Sequence, residues 1–238
     1  MAFSNGPKGI VTDGLIFSVD PGNDQCYTSG SATATDLIGG LTCTFNNGSA
    51  PSIQPYPNYW DFDGSDDYIN IDPTPFTSLS TLSLTTWLAP EANGGGYESP
   101  FSGRSGATTN DYETGINVDQ TINNSADFRY LNIEGAGKIG GEANEMTSQI
   151  PFGTWVYTGI TVDTTLITLY INNIAEGTRA RSDVAMNLLY MQIGARYYAS
   201  GVKGYWDGKI GPLSIYNRVL TAAEILQNYN SQKARFGL

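Results

Sequence analysis

Apolar and polar positions alternate along most of this chain. In "GLIFSVD" (14–20) Leu15, Phe17 and Val19 fall on one face, and in "LSLTTWLA" (82–89) Leu82, Leu84 and Leu88 do so with Trp87 opposite. "WVYTGITVD" (155–163) sets Val156, Ile160 and Val162 against Trp155 and Tyr157, and "LITLYIN" (166–172) sets Ile167, Leu169 and Ile171 against Leu166 and Tyr170. A period of two in β-branched and aromatic residues predicts half-buried strands. Shorter strands are predicted at 59–63, 67–71, 114–118, 126–133, 189–195 and 205–216. Asp163-Thr164-Thr165 and Asn172-Asn173 mark tight turns, because Asn and Asp tolerate the left-handed backbone that hairpins need. The glycine-rich stretches 93–100, 102–111 and 135–145 predict longer loops, the usual place for a binding surface.

One segment breaks the pattern. "GYWDGKIGPLSIYNRVLTAAEILQNYNS" (204–231) begins as a strand and ends as a helix. Thr221 with Glu224 three residues on makes a capping box, and Ile225, Leu226 and Tyr229 then share one helical face. The fold class that follows is all-β: a two-sheet antiparallel jelly-roll sandwich whose outer patch or open edge is covered by a short C-terminal helix. No repeat, low-complexity tract or linker divides the chain. A single domain over 1–238 is expected, with a strand core at about 10–216 and the helix at about 221–235.

Composition narrows the chemistry. Histidine is absent from the 238 residues, which excludes Ser-His-Asp and Cys-His catalysis, His-ligated zinc and the commonest general base. The net charge is −11, and up to Gly103 eleven carboxylates face Lys8 alone. Nucleic acid is thereby disfavoured as a partner, since phosphate binding needs a basic surface. No apolar run approaches the roughly 20 residues of a membrane helix, so no membrane insertion is expected. Met1 to Gly6 lack a basic start followed by an apolar stretch, so no signal peptide is expected. Cys26 and Cys43, the two cysteines, fit no metal spacing; free thiols are the favoured reading and a single bridge the other.

The segments "IVTDGLIFSVDPGNDQCY" (10–27), "TDLIGG" (35–40), "FDGSDDYINI" (62–71) and "GYWDGKIGPLSIYNRVLTAAEILQNY" (204–229) together resemble the laminin G-like, concanavalin A-like lectin/glucanase jelly rolls. They are most similar to the single-domain versions met in tailed phages of aquatic bacteria. The order of the segments matches over nearly the whole chain. Two departures stand in the first loop: Ala34 occupies a position where the family carries Trp, and "VDPGN" replaces "LDAGN" with Asp20 and Asn23 kept.

Candidate sites follow from both readings. Asp63, Asp66 and Asp67 in "DFDGSDD" (61–67) form an acidic turn that fits no EF-hand. Either these carboxylates bond their own backbone, as turn Asp residues do, or they hold a structural calcium, which the resemblance permits. Glucanases of this fold carry two carboxylates close together on one strand, about 5 Å apart in retaining enzymes. The nearest pairing here, Glu142 and Glu145, falls in a glycine-rich loop, so the chain is not expected to be an enzyme. Sugar binding would use aromatic faces and polar groups at the rim: Tyr97, Asn110, Asp111, Tyr112, Tyr197 and Tyr198. "GARYYASGVKGYW" (194–206) concentrates the Tyr, Trp and Arg favoured in interface centres. Arg196, Tyr197, Tyr198, Tyr205 and Trp206 are its expected contact residues. Arg179, Arg181, Lys203 and Lys209 make the surrounding part of the chain less acidic than the first.

The expectation is a non-enzymatic phage virion protein, a capsid decoration, fibre or tail-associated jelly roll. It would be made in the host cytoplasm and would contact other virion proteins and host-surface glycans. The alternatives are a carbohydrate-binding lectin-type module and, third, a glycoside hydrolase.

Overall fold

A computed structural model describes residues 8–46, 57–71, 74–91, 97–106, 115–120, 128–137, 148–198 and 201–238. Strands come first in chain order: β1 (Leu15–Val19), β2 (Thr33–Thr35), β3 (Thr42–Asn46), β4 (Trp60–Asp63), β5 (Tyr68–Ile71) and β6 (Phe76–Leu79). The middle of the chain adds β7 (Leu82–Pro90), β8 (Phe101–Arg104), β9 (Ile116–Gln120), β10 (Phe128–Gly135), β11 (Ser148–Pro151) and β12 (Val156–Val162). There follow β13 (Leu166–Ile171), β14 (Ile174–Ala180), β15 (Met186–Leu188), β16 (Tyr190–Ile193), β17 (Arg196–Tyr198), β18 (Gly201–Lys203) and β19 (Asp207–Tyr216). Helix α1 (Ala222–Gln232) and a 3-10 turn (Lys233–Phe236) end the chain.

Fifteen of these strands assemble into two antiparallel sheets, while β6 pairs with β15 and β17 with β18. One runs β1-β19-β7-β12-β13-β14, with β4 also paired to β19; the other runs β11-β10-β9-β8-β16-β5-β3-β2. Between them lies one apolar core. Leu82, Leu84, Leu88, Val156, Ile160 and Val162 come from the first sheet, and Ile69, Ile71, Phe101, Val118, Met191 and Ile193 from the second. The alternation read from β7, β12 and β13 therefore points the residues inward that it was expected to point inward. The hairpin at 172–173 also forms as expected, with Asn172 and Asn173 both left-handed (φ 48° and 68°).

In β1 the pattern is corrected. A bulge between Leu15 and Phe17 shifts the register against β19. Phe17 and Val19 stay in the core, while Leu15 turns to the opposite side and packs with the helix. Cys26 and Cys43 are buried free thiols. Among the described residues no helix is long and apolar enough to cross a membrane.

The helix lies on the outer face of the first sheet. Its capping box forms as spelled: the Thr221 side chain accepts from the Glu224 amide, and Glu224 accepts from the Thr221 amide at 2.8 Å. Ile225 sits over Gly159, where the missing side chain leaves room for it. Val11, Trp87, Tyr157, Tyr216, Leu220 and Phe236 complete this second cluster, with Tyr229 packed against it. Leu226, expected on the covered face, is 41% exposed. Its place is taken by Asn228, which accepts from the Val11 amide at 2.7 Å and donates to the Tyr216 hydroxyl at 3.0 Å.

Candidate functional site: the ribbon end of the sandwich

Between β16, in the second sheet, and β19, in the first, the chain makes an excursion. Gly194 turns out of β16 with φ 82°, β17 and β18 pair only with each other, and Gly204 turns back with φ 58°. Both turns need glycine. A Cβ on Gly194 would strike the Phe62 ring, and one on Gly204 would strike the Tyr97 carbonyl. The base of this ribbon is closed by the Trp206 amide donating to the Gly194 carbonyl at 2.8 Å, and the Ser99 amide donates to the Gly204 carbonyl at 2.8 Å. Residues 97–99 thus form a strap beside the ribbon.

Two tyrosines of this end are each backed by a buried arginine. The Arg196 guanidinium lies over the Tyr97 ring at 4.7 Å, and that of Arg104 lies over the Tyr197 ring at 4.0 Å. Arg104 also covers the Tyr190 ring at 4.9 Å, and its Nη1 donates to the Gly106 carbonyl at 3.3 Å. Arg196 and Arg104 are only 6% and 5% exposed, whereas Tyr97 is 38% exposed and Tyr197 half-buried. Guanidinium over a tyrosine face is attractive and fixes the ring's orientation. Tyr205 completes the group: its hydroxyl donates to the Val202 carbonyl at 3.1 Å and its ring meets Tyr68 at 6.2 Å. Burial pushes the Tyr205 hydroxyl pKa above its ordinary value, and Tyr68 and Asp66 push the same way.

The acidic turn stands beside the ribbon. The Gly64 amide donates to the Trp206 carbonyl at 3.1 Å, and Asp63 pairs with Asp207 across β4 and β19. Carboxylate oxygens of Asp63, Asp66 and Asp67 lie within 4.8 Å of one another. Asp63 accepts from the amides of Ser65 at 2.9 Å and Asp66 at 3.4 Å, as a turn Asp does, yet three converging carboxylates also suit a hard cation that takes oxygen ligands.

The structure therefore brings Tyr97, Arg196, Tyr197, Tyr205 and the three aspartates to one end of the sandwich. Tyr198 lies on the ribbon, in β17. Asn110, Asp111 and Tyr112 lie outside the described residues, as do Glu142 and Glu145. Trp206 is a correction: its side chain is fully buried in the core, so it is no contact residue and instead anchors ribbon and acidic turn through its backbone. Arg196 is corrected likewise, from a contact residue to the backing of Tyr97. Arg179 and Arg181 are also buried, and Arg181 donates to the carbonyls of Ser80, Asp163, Ser182 and Val184. They do not form a docking face. Arg104 and Tyr190 were not anticipated. The one signal for Arg104 is that it is the first cation after Lys8.

Comparison with known proteins agrees with this architecture. Residues 63–226 match the laminin G-type model of the concanavalin A-like lectin/glucanases superfamily. No curated protein matches the chain in sequence. Among solved structures it is similar to domain 4 of AbnA, a GH43 extracellular arabinanase from Geobacillus stearothermophilus, in complex with arabinotriose. That likeness has 15% identity and a TM-score of 0.60 over 90% of this chain and 98% of the other. It is also similar to a Trypanosoma rangeli sialidase mutant displaying trans-sialidase activity (12% identity, TM-score 0.63, 93% of this chain and 33% of that one). The binding domain of botulinum neurotoxin DC in complex with SialylT is a third (12% identity, TM-score 0.58, 92% and 51%). The chain thus spans about a third and a half of the last two proteins. At such identities the likeness shows the fold. With the family model covering more than half of its length, the chain belongs to the concanavalin A-like lectin/glucanases superfamily, as a laminin G-type domain.

Proposed function

We propose that the chain is a non-enzymatic carbohydrate-binding jelly roll that serves as a virion surface component of a phage. It would be made in the host cytoplasm and present its ribbon end to host-surface glycans. The observation that carries the binding reading is the pair of arginine-backed tyrosines, Tyr97 on Arg196 and Tyr197 on Arg104. A ring held from behind loses little freedom when a sugar settles on its front, so binding costs less ordering entropy. The arabinotriose and SialylT complexes of two structural relatives support the same reading. The acidic turn beside the ribbon takes calcium in this reading, as a structural cation that stiffens the rim. The virion setting rests on the resemblance of the four sequence segments to phage jelly rolls.

A glycan array probed with the intact protein tests the binding reading, with Tyr97→Ala and Tyr197→Ser/Tyr198→Ser as companions. The expected outcome is retention of a glycan class by the parent, weakened in both variants while the melting temperature stays within a degree or two. Undiminished binding by both variants would move the site elsewhere. The virion setting is checked by asking whether the protein is present at fixed stoichiometry in purified particles. Release of reducing sugar from any bound glycan would overturn the non-enzymatic reading.

A further inference from the structure

A row of polar side chains crosses the outer face of the second sheet. Thr44 opposes Asn70, Asn70 opposes Gln192, Gln192 opposes Ser102 and Ser102 opposes Asn117, through β3, β5, β16, β8 and β9. Directly opposed residues of antiparallel strands share one face. Their sequence neighbours Ile69, Ile71, Met191, Ile193, Phe101, Ile116 and Val118 fill the core, so the row points out of the sandwich. Arg104 and Tyr190, two residues along β8 and β16 from Ser102 and Gln192, share that outer face. Because Tyr197 stacks on Arg104, the ribbon meets this face there.

An outward polar row on a strand should be wet. Here Gln192 is 2% exposed and Ser102 1%, and neither Gln192 Oε1 nor Ser102 Oγ has a hydrogen-bond partner. Buried polar groups carry a desolvation penalty unless something bonds them. Thr86 and Thr158 are facing orphans as well, but they look into the core of the first sheet; Gln192 and Ser102 lie on an outward face, where a ligand can complete them.

We propose that this row is the floor of a binding site for a neutral saccharide, whose hydroxyls complete Gln192 and Ser102. The inference rests on the carbohydrate-binding reading and extends it from the rim tyrosines onto the sheet. Side-chain amides and hydroxyls both donate and accept, as sugar hydroxyls do. Among the described residues an anionic sugar would find one cation on this floor, Arg104, with rings against its guanidinium and Nη1 on the Gly106 carbonyl. From Asn70 to Asn117 the row crosses three inter-strand steps, about 14 Å at the usual strand spacing, longer than one sugar ring. The ribbon admits the ligand. Its strands belong to neither large sheet and its ends are left-handed glycines, so it lifts without breaking a ladder.

The test uses an array carrying neutral oligosaccharides beside sialylated and uronic-acid ones, followed by calorimetric titration of the tightest binder. Gln192→Leu and Ser102→Ala are each expected to weaken that binding at least tenfold without lowering the melting temperature, since each removes an orphan. Ser102→Ala removes a single oxygen and keeps the test valid even where Gln192→Leu disturbs packing. Tyr97→Ala serves as the rim control. Full-strength binding by both floor variants, with loss in Tyr97→Ala, would overturn the floor and leave the rim site standing. An array that returns only acidic glycans would overturn the neutral assignment. No binding to any glycan would overturn floor and rim together.

Discussion

The two outer faces of this sandwich are covered in opposite ways. Over the first sheet the helix and its 3-10 extension bring Ile225, Tyr229 and Phe236 onto Trp87, Tyr157 and Tyr216. Trp87 Nε1 in that seam donates to Gln232 at 2.8 Å and Asn228 links the Val11 amide to the Tyr216 hydroxyl, while the buried Tyr157 hydroxyl is left without a partner. Over the second sheet the ribbon stacks Tyr197 on Arg104, and the outward polar row of that face leaves two facing groups without a partner. The first cover is an extension of the core, held by apolar area and by the hydrogen bonds of Trp87 and Asn228. The second is held at its glycine ends and by stacked arginines, with unmet polar capacity on the same face. A face that is finished carries stability; a face left unfinished is where a ligand is worth something.

The largest effect that could break this contrast is expected at Phe236. Its ring is stacked on Trp87 at 4.3 Å and tilted against Trp155 at 4.7 Å. Phe236→Ala should cost about 3–5 kcal/mol in denaturant unfolding; a loss well under that would make the helix side as loosely covered as the ribbon side. Next comes a matched pair. Asn228→Leu strands the buried Val11 amide and should cost about 1–3 kcal/mol, while Gln192→Leu should be neutral or stabilising. Equal costs at the two sites would erase the difference between the faces.

A smaller shift is expected at the acidic turn, on the ribbon side. Calcium at about ten times the dissociation constant of its site adds about 1.4 kcal/mol to a native state that alone binds it. Melting curves with calcium and with chelator should separate accordingly, and coincident curves would return Asp63, Asp66 and Asp67 to plain turn residues. The smallest effect belongs to Glu224, on the helix side. Hydrogen bonds from Arg218, then from the Thr221 amide, lower its pKa from 4.5 to about 2. A lowered carboxylate pKa stabilises the fold above the unfolded value and ceases to do so as pH falls through the folded one. The parent's advantage over Glu224→Gln should therefore be full above pH 4.5 and vanish towards pH 2, the window set by those two values. Glu224 is near the surface, so solvent screening holds that advantage to about 1 kcal/mol. A difference that persists undiminished at pH 2 would assign the effect to packing.

Much of the fold was legible in the residues because it follows from local rules. Alternation in β7, β12 and β13 needs only the two-residue period of a strand, and Thr221 with Glu224 needs only one helical turn. Asn172-Asn173 needs only the left-handed tolerance of Asn. The acidic turn was legible for the same reason, since its three aspartates fall within five residues. The rest was hidden in long-range placement. Trp206 and Arg196 read as surface residues from a Tyr- and Arg-rich string, and the strand-to-strand crossing buried both. Leu226 reads as core and Asn228 as surface. The helix's angle on the sheet reverses them, because a buried amide with two partners is as acceptable there as a side chain of carbon.

By itself the sequence determined the longer alternating strands and most of their inward faces, the capped terminal helix, the absence of histidine chemistry and the superfamily. Only the tertiary structure decided that Arg104 and Arg196 stand behind tyrosines, and that Gln192 and Ser102 lie buried side by side. Those relations join residues tens of positions apart through sheet register and a glycine-hinged crossing. Which groups lose water, and which then find a partner, depends on what the folded chain lays over them.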